Sequence, residues 1–301
     1  MASLLSRSPL PLPLPLPRRL PAGVARRFAS TESSRSVMLP VGPDGLTLHA
    51  VTPSSPVAER PAVLCLPSAF GSVRGDFRHQ LESPLLQSKY ALYGVDPRGY
   101  GGSRPPERDF PSRWFERDAD DVLRAADQLQ LDQFAVLGWS AGANVGAVLA
   151  ATHPERAFVC DDDLEAMETY EDVSKWHPAA REAGEAIYGA GNLQEKWSEM
   201  MEALRLAERE DGGDLYCGHL PYIKCKTLVV SGDRDKLVAG FHGEYLSERI
   251  MHSRLEVVAS GRHDLVLSEA EQFNELLDAF LQEPDDKLTQ SREFVAVPSK
   301  N

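Results

Sequence analysis

A serine enclosed by two glycines is the first feature of the sequence that could do chemistry. Residues 137–145 read LGWSAGANV, in which Gly138 and Gly142 flank Ser140 in the pattern G-x-S-x-G. An apolar run precedes the pattern and small residues follow it, so we predict a strand-to-helix corner with Ser140 at its tip. A plain turn before a helix, the alternative interpretation, would not need both glycines. We therefore interpret Ser140 as a nucleophile, with the partial positive charge of the helix N-terminus beside it.

A serine hydroxyl needs a base to take its proton, and the base needs an acid to orient it. In folds built around such a corner, the acid and then the histidine follow the serine, each on a loop after a strand. The strings VVSGDRDKLV and ASGRHDLVL end two apolar runs with Asp233, Asp235 and His263. Asp235 lies further out of its strand, so we predict it as the acid and Asp233 as a solvated or loop-capping residue. His263 is the predicted base. Four other histidines are less suited, since they lie on predicted helices or in the N-terminal hairpin: His79, His242, His252 and His49.

Acyl transfer also needs backbone amides that bind the oxyanion of the tetrahedral intermediate. The residue after the nucleophile, Ala141, is expected to supply one of them. The loop PSAFGS, which follows the apolar run AVLCLP, is expected to supply the other. In that loop Ala69 is the predicted donor, with Ser68 and Phe70 as alternatives.

The elements that carry these residues alternate between strand and helix. Continuous apolar runs are typical of strands buried on both faces, and four of them are PAVLCLP, YALYGVD, QFAVLGW and KTLVVSG. Helical spacing of apolar residues, or a position between two predicted strands, predicts helices over FERDADDVLRAADQLQ, SEAEQFNELLDAFLQ and RHQLESPLLQ. Such alternation predicts an α/β fold with a mostly parallel sheet and helices on both faces.

An acidic, tryptophan-containing stretch interrupts the alternation, and we predict a helical cap there, over one end of the sheet. The predicted organisation is a presequence or disordered tail over 1–31, an α/β core over 32–160 and 220–282, the cap over 161–219 and a polar tail over 283–301.

The composition of the 301-residue chain is that of a globular protein, 42% hydrophobic and with a formal net charge of −13. An acidic surface does not favour nucleic acid or anionic membranes as partners. No run approaches the ~20 apolar residues of a membrane span. The four cysteines show no metal-binding spacing. We expect a monomer that acts on a small ester.

The first residues differ from the rest of the chain. Five arginines and no acidic residue occur before Glu32, which is typical of a mitochondrial presequence. The alternating Pro–Leu tract between Pro9 and Pro17 cannot form the amphipathic helix of such a presequence. A mitochondrial location is the expectation, and an unprocessed disordered tail is the alternative.

Together these motifs resemble the α/β-hydrolase superfamily, and within it the valacyclovir hydrolase, or biphenyl hydrolase-like, family. The resemblance covers about residues 37–282 and is carried by DPRGYGGSRPPERDFPSRWFERDA, LGWSAG, DVSKW, YG and FHGEYL, in that order. It implies the α/β-hydrolase fold and a mitochondrial serine esterase or amidase acting on α-amino-acid esters. It also implies Ser140, Asp235 and His263 as the catalytic triad, with no cofactor.

Three features depart from the family pattern. Ala141 replaces an aspartate that can pair with the α-ammonium group of a substrate, and PERAFVC is shorter than the corresponding family segment, which could expose a sheet edge or remove a pocket wall. Ser68 replaces a glycine in the oxyanion loop, where its side chain is expected to tilt the neighbouring amide. The candidate substitutes for the missing aspartate, unless they form a merely solvated acidic run, are Asp161, Asp162 and Asp163.

Three functions are compatible with these features. The first is a serine hydrolase that cleaves small carboxylic esters, with α-amino-acid esters as the narrower case, through an acyl-enzyme on Ser140. The second is a catalytically impaired α/β-hydrolase-fold protein, suggested by the short segment and the altered pocket positions. The third is a carbon–carbon bond hydrolase with the same triad. Epoxide hydrolases and haloalkane dehalogenases of this fold need an aspartate at the position of Ser140.

Overall fold

A computed structural model describes the domain that carries the predicted motifs. The described residues are 34–42, 45–55, 57, 59–154, 157–158, 160–161, 171–212 and 214–284. The predicted presequence or tail over 1–31 lies outside them, as does most of the predicted polar tail. Across the described residues, no helix has both the length and the hydropathy needed to cross a membrane.

The four apolar runs PAVLCLP, YALYGVD, QFAVLGW and KTLVVSG each form a strand, as predicted, and the structure contains further strands. In chain order they are β1 (Ser34–Pro40), β2 (Thr47–Pro53), β3 (Ala62–Leu66), β4 (Ala91–Val95), β5 (Phe134–Gly138), β6 (Ala157–Phe158), β7 (Cys160–Asp161), β8 (Thr227–Gly232) and β9 (Ser253–Val258). They pair in the order β1-β2-β4-β3-β5-β6 and β7-β8-β9. Strand β2 runs antiparallel to β1 and β4, while the remaining pairs are parallel. The carboxyl ends of β3, β4 and β5 therefore face the same way, as do those of β8 and β9 in the second ladder.

The short segment after the helix that follows Ser140 joins the two ladders. Strand β6 pairs with β5 over two residues, and β7 pairs with β8 over two residues. Each pairing covers only part of the longer strand: β6 lies beside Phe134 and Ala135 of the five-residue β5, and β7 lies beside Leu228 and Val229 of the six-residue β8. The exposure of a sheet edge, which the shortness of PERAFVC suggests, therefore stays a prediction, because residue 159 and residues 162–170 lie outside the described part of the chain.

Helices connect the strands and cover both faces of the sheet. They are α1 (Val73–Asp76), α2 (Arg78–Leu81), α3 (Pro84–Lys89), α4 (Trp114–Gln128), α5 (Ala141–Thr152), α6 (Pro178–Tyr188), α7 (Ala190–Asp211), α8 (Phe241–Arg249), α9 (Leu265–Ser268) and α10 (Ala270–Gln282), with 3-10 turns at Val173–Lys175 and Cys217–Tyr222. Successive residues of β3 enter different cores: Leu64 packs with α4 and α5, and Val63 with α3 and α10. The predicted fold class, a mostly parallel α/β sheet between helices, is confirmed.

The single helix predicted over RHQLESPLLQ is wrong, because the structure contains two short helices there. Helix α2 ends at Leu81 and α3 begins at Pro84. Ser83 has extended backbone, φ −65° and ψ 117°, and its hydroxyl accepts a hydrogen bond from the Leu86 amide. A residue before proline avoids the helical conformation, while proline is well suited to a first helical position. Both effects place a break at Ser83.

Aromatic side chains join the helices between β7 and β8 to the loop after β3. Phe70 of that loop lies with its ring centroid 5.3 Å from that of Tyr188 on α6 and 5.8 Å from that of Trp197 on α7. Tyr100, which follows β4, lies 5.4 Å from Phe70. Helices α6 and α7 therefore pack over loops at the carboxyl ends of β3 and β4.

Candidate active site

Ser140 occupies the corner between β5 and α5 in a conformation that side chains rarely adopt. Its φ is 54° and its ψ is −124°. Such backbone strain persists only where the surrounding structure holds it, and it is typical of a nucleophile at a strand-to-helix corner. The corner turns the serine out of the strand and leaves it at the N-terminus of a 12-residue helix.

The two flanking glycines are required by close packing around this corner. A Cβ atom at Gly142 would lie 2.2 Å from the carbonyl oxygen of Leu66 in β3. A Cβ atom at Gly138 would lie 2.4 Å from the Cα of Ala143 in α5. Both distances are far below van der Waals contact, so the sterics that the sequence predicts are present at both positions. An ordinary turn would not need them.

Asp235 and His263 form a hydrogen-bonded pair on the loops after β8 and β9. The Oδ2 atom of Asp235 lies 3.0 Å from Nδ1 of His263. The other carboxylate oxygen, Oδ1, accepts the backbone amides of Leu237 at 2.7 Å and Val238 at 3.0 Å. The Asp235 side chain is 1% exposed. Asp235 is thus fixed by its own loop and directed at the imidazole.

Asp233, the other acidic candidate, has a different environment. It is exposed, and its Oδ1 atom accepts the backbone amide of Ser260 at 2.6 Å. It caps the neighbouring loop, one of the two roles that the sequence predicts for it. Only Asp235 faces His263.

The electrostatics of the pair favour an ionised Asp235. Burial opposes the charge, but the hydrogen bond and the charge of His263, with the two loop amides, outweigh it and hold the pKa of Asp235 below its ordinary value. A carboxylate on Nδ1 selects the tautomer with a proton there, which leaves Nε2 to act as the base.

Trp139 links the histidine loop to the serine corner. Its indole Nε1 donates a hydrogen bond to the backbone carbonyl of His263 at 2.9 Å, and the two rings lie 5.8 Å apart. Because Trp139 directly precedes Ser140, this contact brings His263 to the corner. Sequence reasoning missed this role, since nothing in the pattern G-x-S-x-G constrains the residue between glycine and serine.

The loop after β3 supplies one predicted oxyanion donor and excludes another. The Ser68 amide is already committed, since it donates to Oδ2 of Asp76 at 2.8 Å. Within the described part of the chain, the Ala69 amide makes no hydrogen bond, so Ala69 stays the predicted donor with Phe70 as its alternative. Ala141 is the first residue of α5, and the first amides of a helix have no acceptor within it.

A second series of serine, histidine and aspartate lies at the other end of the chain. Oγ of Ser36 is 2.9 Å from Nε2 of His49, whose Nδ1 is 2.9 Å from Oδ2 of Asp96. Ser36 lies in an ordinary strand, however, and its oxygen accepts Nε of Arg74 at 3.1 Å. Asp96 also accepts hydrogen bonds from the backbone amides of Val73 at 2.7 Å and Gly102 at 2.8 Å. This series lacks the strained corner and the long helix N-terminus of Ser140.

The predicted substrate-binding aspartates are outside the described side chains. Asp161 contributes its backbone to β7, and Asp162 and Asp163 lie beyond the described residues. Their role stays a prediction. Among the residues that the structure does describe, no group of three or more histidine, cysteine or acidic side chains could hold a metal ion.

Comparisons with known proteins agree with this geometry. The family model described as alpha/beta hydrolase fold matches residues 61–178. The chain is 35% identical over 272 residues to serine hydrolase BPHL of Homo sapiens, covering 87% of this chain and 90% of that protein. It is 38% identical over 232 residues to serine hydrolase BPHL of Mus musculus, covering 73% and 79%.

Solved structures share the fold. The 2-hydroxy-6-oxo-6-phenylhexa-2,4-dienoate hydrolase of Rhodococcus sp. strain RHA1 superposes with a TM-score of 0.68, covering 84% of this chain and all of that one, at 18% sequence identity. Likeness at this identity concerns the fold alone. From the close sequence relatives, however, the chain belongs to the α/β-hydrolase fold family and, within it, to the family of serine hydrolase BPHL.

Proposed function

We propose that the protein is a serine hydrolase that cleaves small carboxylic esters through an acyl-enzyme on Ser140. The observation that carries this proposal is the Asp235–His263 pair, with 3.0 Å between Oδ2 and Nδ1. It lies on loops at the carboxyl ends of β8 and β9, next to the corner that carries Ser140 after β5. Membership of the family of serine hydrolase BPHL supports a hydrolase, and the ester substrate is our narrower proposal.

Each group has one task in the proposed reaction. Nε2 of His263 accepts the hydroxyl proton of Ser140 as Oγ attacks the ester carbonyl carbon. The amides of Ala69 and Ala141 donate to the oxyanion, an interaction typically worth about 3 kcal/mol for each donor. Asp235 stays ionised and stabilises the imidazolium.

The intermediate then breaks down in two halves. The carbon–oxygen bond to the alcohol breaks, and the alcohol leaves with the proton from His263, while the acyl group remains on Ser140. Water, deprotonated by the same imidazole, attacks the acyl-enzyme, and the proton returns to Ser140 as the acid leaves.

The selectivity of the site depends on what replaces the family's aspartate. Ala141 is 8% exposed and carries no charge, so it cannot pair with an ammonium group. We propose esters without a required amine as the general substrate class. Selectivity for α-amino-acid esters would depend on Asp161, Asp162 or Asp163.

Labelling with a fluorophosphonate probe tests the proposal, because such a probe reacts covalently with an activated serine. We expect labelling of the wild type and none of Ser140→Ala. Ser36→Ala is the matched control, since Ser36 also contacts a histidine, and it should label as the wild type does.

Two results would contradict the proposal. A folded wild-type protein that takes up no label would favour the impaired-fold alternative. Labelling that disappears in Ser36→Ala and persists in Ser140→Ala would move the nucleophile to the other end of the chain.

A further inference from the structure

Asp76, eight residues beyond Ser68, holds the loop that carries the predicted oxyanion donor. Its Oδ2 atom accepts the Ser68 amide at 2.8 Å and the Ser68 hydroxyl at 2.9 Å. Both bonds come from the residue that directly precedes Ala69. The Ser68 side chain is therefore turned to Asp76, and with the amide it ties the backbone at Ala69 to one carboxylate.

The loop also closes around this carboxylate. A Cβ atom at Gly71 would lie 2.1 Å from Oδ2 of Asp76 and 2.8 Å from Oγ of Ser68. The Gly71 amide donates to the Ser68 carbonyl at 3.0 Å, and Phe70 between them has the left-handed φ of 59°. The turn from 68 to 71 is thus built on Asp76, with the Ala69 amide at its tip.

We propose that Asp76 is a positioning residue for ester hydrolysis: its carboxylate fixes the Ala69 amide for the oxyanion, and protonation of that carboxylate loosens the loop. This inference rests on the proposed function of the same site. Asp76 acts through Ser68 and Ala69 and does not itself touch the substrate.

The surroundings of Asp76 bring its protonation into the neutral pH range. The carboxyl group is enclosed by the loop, and this loss of water, with the nearby charge of Asp96, raises its pKa to about 7 despite the hydrogen bonds from Ser68 and Ser72. Asp96 follows β4 and is paired with His49 of β2. Arg74, on the same short helix as Asp76, donates instead to Ser36 of β1.

The charged form of Asp76 is the form that holds the loop well. An ionised oxygen accepts two donors strongly, whereas a protonated carboxyl group offers a weaker acceptor. Because the oxyanion exists only along the reaction, loosening its donor should lower kcat and leave KM nearly unchanged.

The test compares kcat and KM for 4-nitrophenyl acetate between pH 5 and 9 in wild type and Asp76→Asn. An asparagine oxygen can still accept from Ser68 but cannot ionise. We expect kcat of Asp76→Asn at pH 8 to fall about ten-fold. This loss is smaller than that caused by removing an oxyanion donor outright, because the Ala69 amide is still present. KM should stay within about two-fold of the wild-type value. The acid limb of kcat should report two ionisations in the wild type, with a slope above 1 over the pH range in which Asp76 titrates, and only that of His263 in the variant.

A second variant keeps the test valid if Asp76→Asn does not fold. Ser68→Ala removes one of the three hydrogen-bond donors that lower the pKa of Asp76, the Ser68 hydroxyl, and keeps the amides of Ser68 and Ser72. In the acid limb of Ser68→Ala, the ionisation of Asp76 should therefore move to higher pH.

Asp278→Asn is the control, since Asp278 on α10 is hydrogen-bonded to Tyr90 and Lys89, outside the site. It should keep the wild-type slope.

The results separate this inference from the proposed function. An active wild type whose acid limb is matched by both Asp76→Asn and Ser68→Ala would overturn the role of Asp76 alone, as would a rise in KM at constant kcat. A folded wild type without esterase activity would overturn the proposed function and this role with it.

Discussion

At the scale of single residues, Ser140 and its partners are tuned by their neighbours. The strained backbone of Ser140 is held by glycines that leave no room for a Cβ atom. Asp235 has both oxygens occupied, one by loop amides and one by His263, so it stays charged and in place. The position after the nucleophile, Ala141, is by contrast free to vary chemically, because it supplies only a backbone amide to the proposed reaction.

Ala141→Asp should change which esters the protein prefers. A carboxylate next to the nucleophile can pair with the ammonium group of an α-amino-acid ester. A charged hydrogen bond of about 1.5 kcal/mol or more would raise kcat/KM for these esters about ten-fold relative to acyl esters without the amine. The ratio of the two kcat/KM values is the measurement.

Ala141→Asn is the control for this change, since it has the shape of aspartate without the charge. It should leave the ratio near the wild-type value. If Ala141→Asp leaves the ratio unchanged as well, the amine binds elsewhere, and the acidic residues 161–163 become the remaining candidates.

Some of these residues can be found from the sequence, and others cannot. Ser140, Asp235 and His263 can be predicted because each follows an apolar run that predicts a strand. Asp76 cannot, because its role depends on tertiary contacts with Ser68, eight residues earlier in the chain. The contact between Ser36 and His49 needs the register of two strands, which no local pattern encodes.

At the scale of elements, the corner between β5 and α5 depends on how closely α5 approaches β3. Gly142 is the point of contact, with the Leu66 carbonyl in the space that a side chain would take. The alternation of strands and helices is predictable from apolar runs because burial on both faces leaves a continuous signature. The break between α2 and α3 follows from Ser83 and Pro84, and a prediction that weighted the proline more than the apolar spacing would have found it.

Gly142→Ala should disable the site and weaken the fold. The new methyl group must push α5 away from β3, and such overpacking typically costs about 1–3 kcal/mol. We expect the rate of fluorophosphonate labelling of Ser140 to fall about ten-fold or more, since a shift of about 1 Å is enough to misplace a nucleophile. Urea unfolding and labelling rate are the two measurements.

Gly191→Ala provides the matched control on another helix. Gly191 lies in α7 with nothing within 4 Å of an added Cβ atom, so alanine should be neutral or slightly stabilising there. Equal labelling in Gly142→Ala and wild type would show that the corner tolerates a side chain, against the packing described above.

At the scale of the whole molecule, the acidic chain encloses carboxyl groups in opposite electrostatic situations. The pKa of Asp76 is raised to about 7, mainly by loss of water, while the hydrogen bonds of Asp278 to Lys89 and Tyr90 hold its pKa below the ordinary value against the opposing effect of burial. Ionised Asp76 therefore makes folding less favourable, whereas ionised Asp278 makes folding more favourable. Net charge, visible in the sequence, does not distinguish them, because the distinction lies in tertiary contacts.

Stability should therefore depend on pH in opposite ways in two variants. The unfolded Asp76 loses its proton near pH 4, whereas the folded one keeps it until about pH 7. Between these values the wild type loses stability relative to Asp76→Asn as pH rises. Asp278→Asn should be less stable than wild type by the same amount at pH 6 and at pH 7.5, because Asp278 is ionised at both in the folded and in the unfolded protein. Urea unfolding at pH 4.5, 6 and 7.5 measures the free energy of unfolding of each variant. A difference between Asp76→Asn and wild type that does not change with pH would contradict the raised pKa of Asp76.

A nucleophilic Ser140 must form a covalent acyl-enzyme with an ester substrate, so trapping that intermediate is the decisive experiment. Wild-type protein mixed with 4-nitrophenyl acetate and quenched in acid during the first turnover can be digested and its peptides weighed by mass spectrometry. We expect an acetyl group on the peptide that contains Ser140, and none on that peptide in Ser140→Ala. Turnover by the wild type with no acetylated peptide, or with the acetyl group on Ser36, would contradict a nucleophilic Ser140.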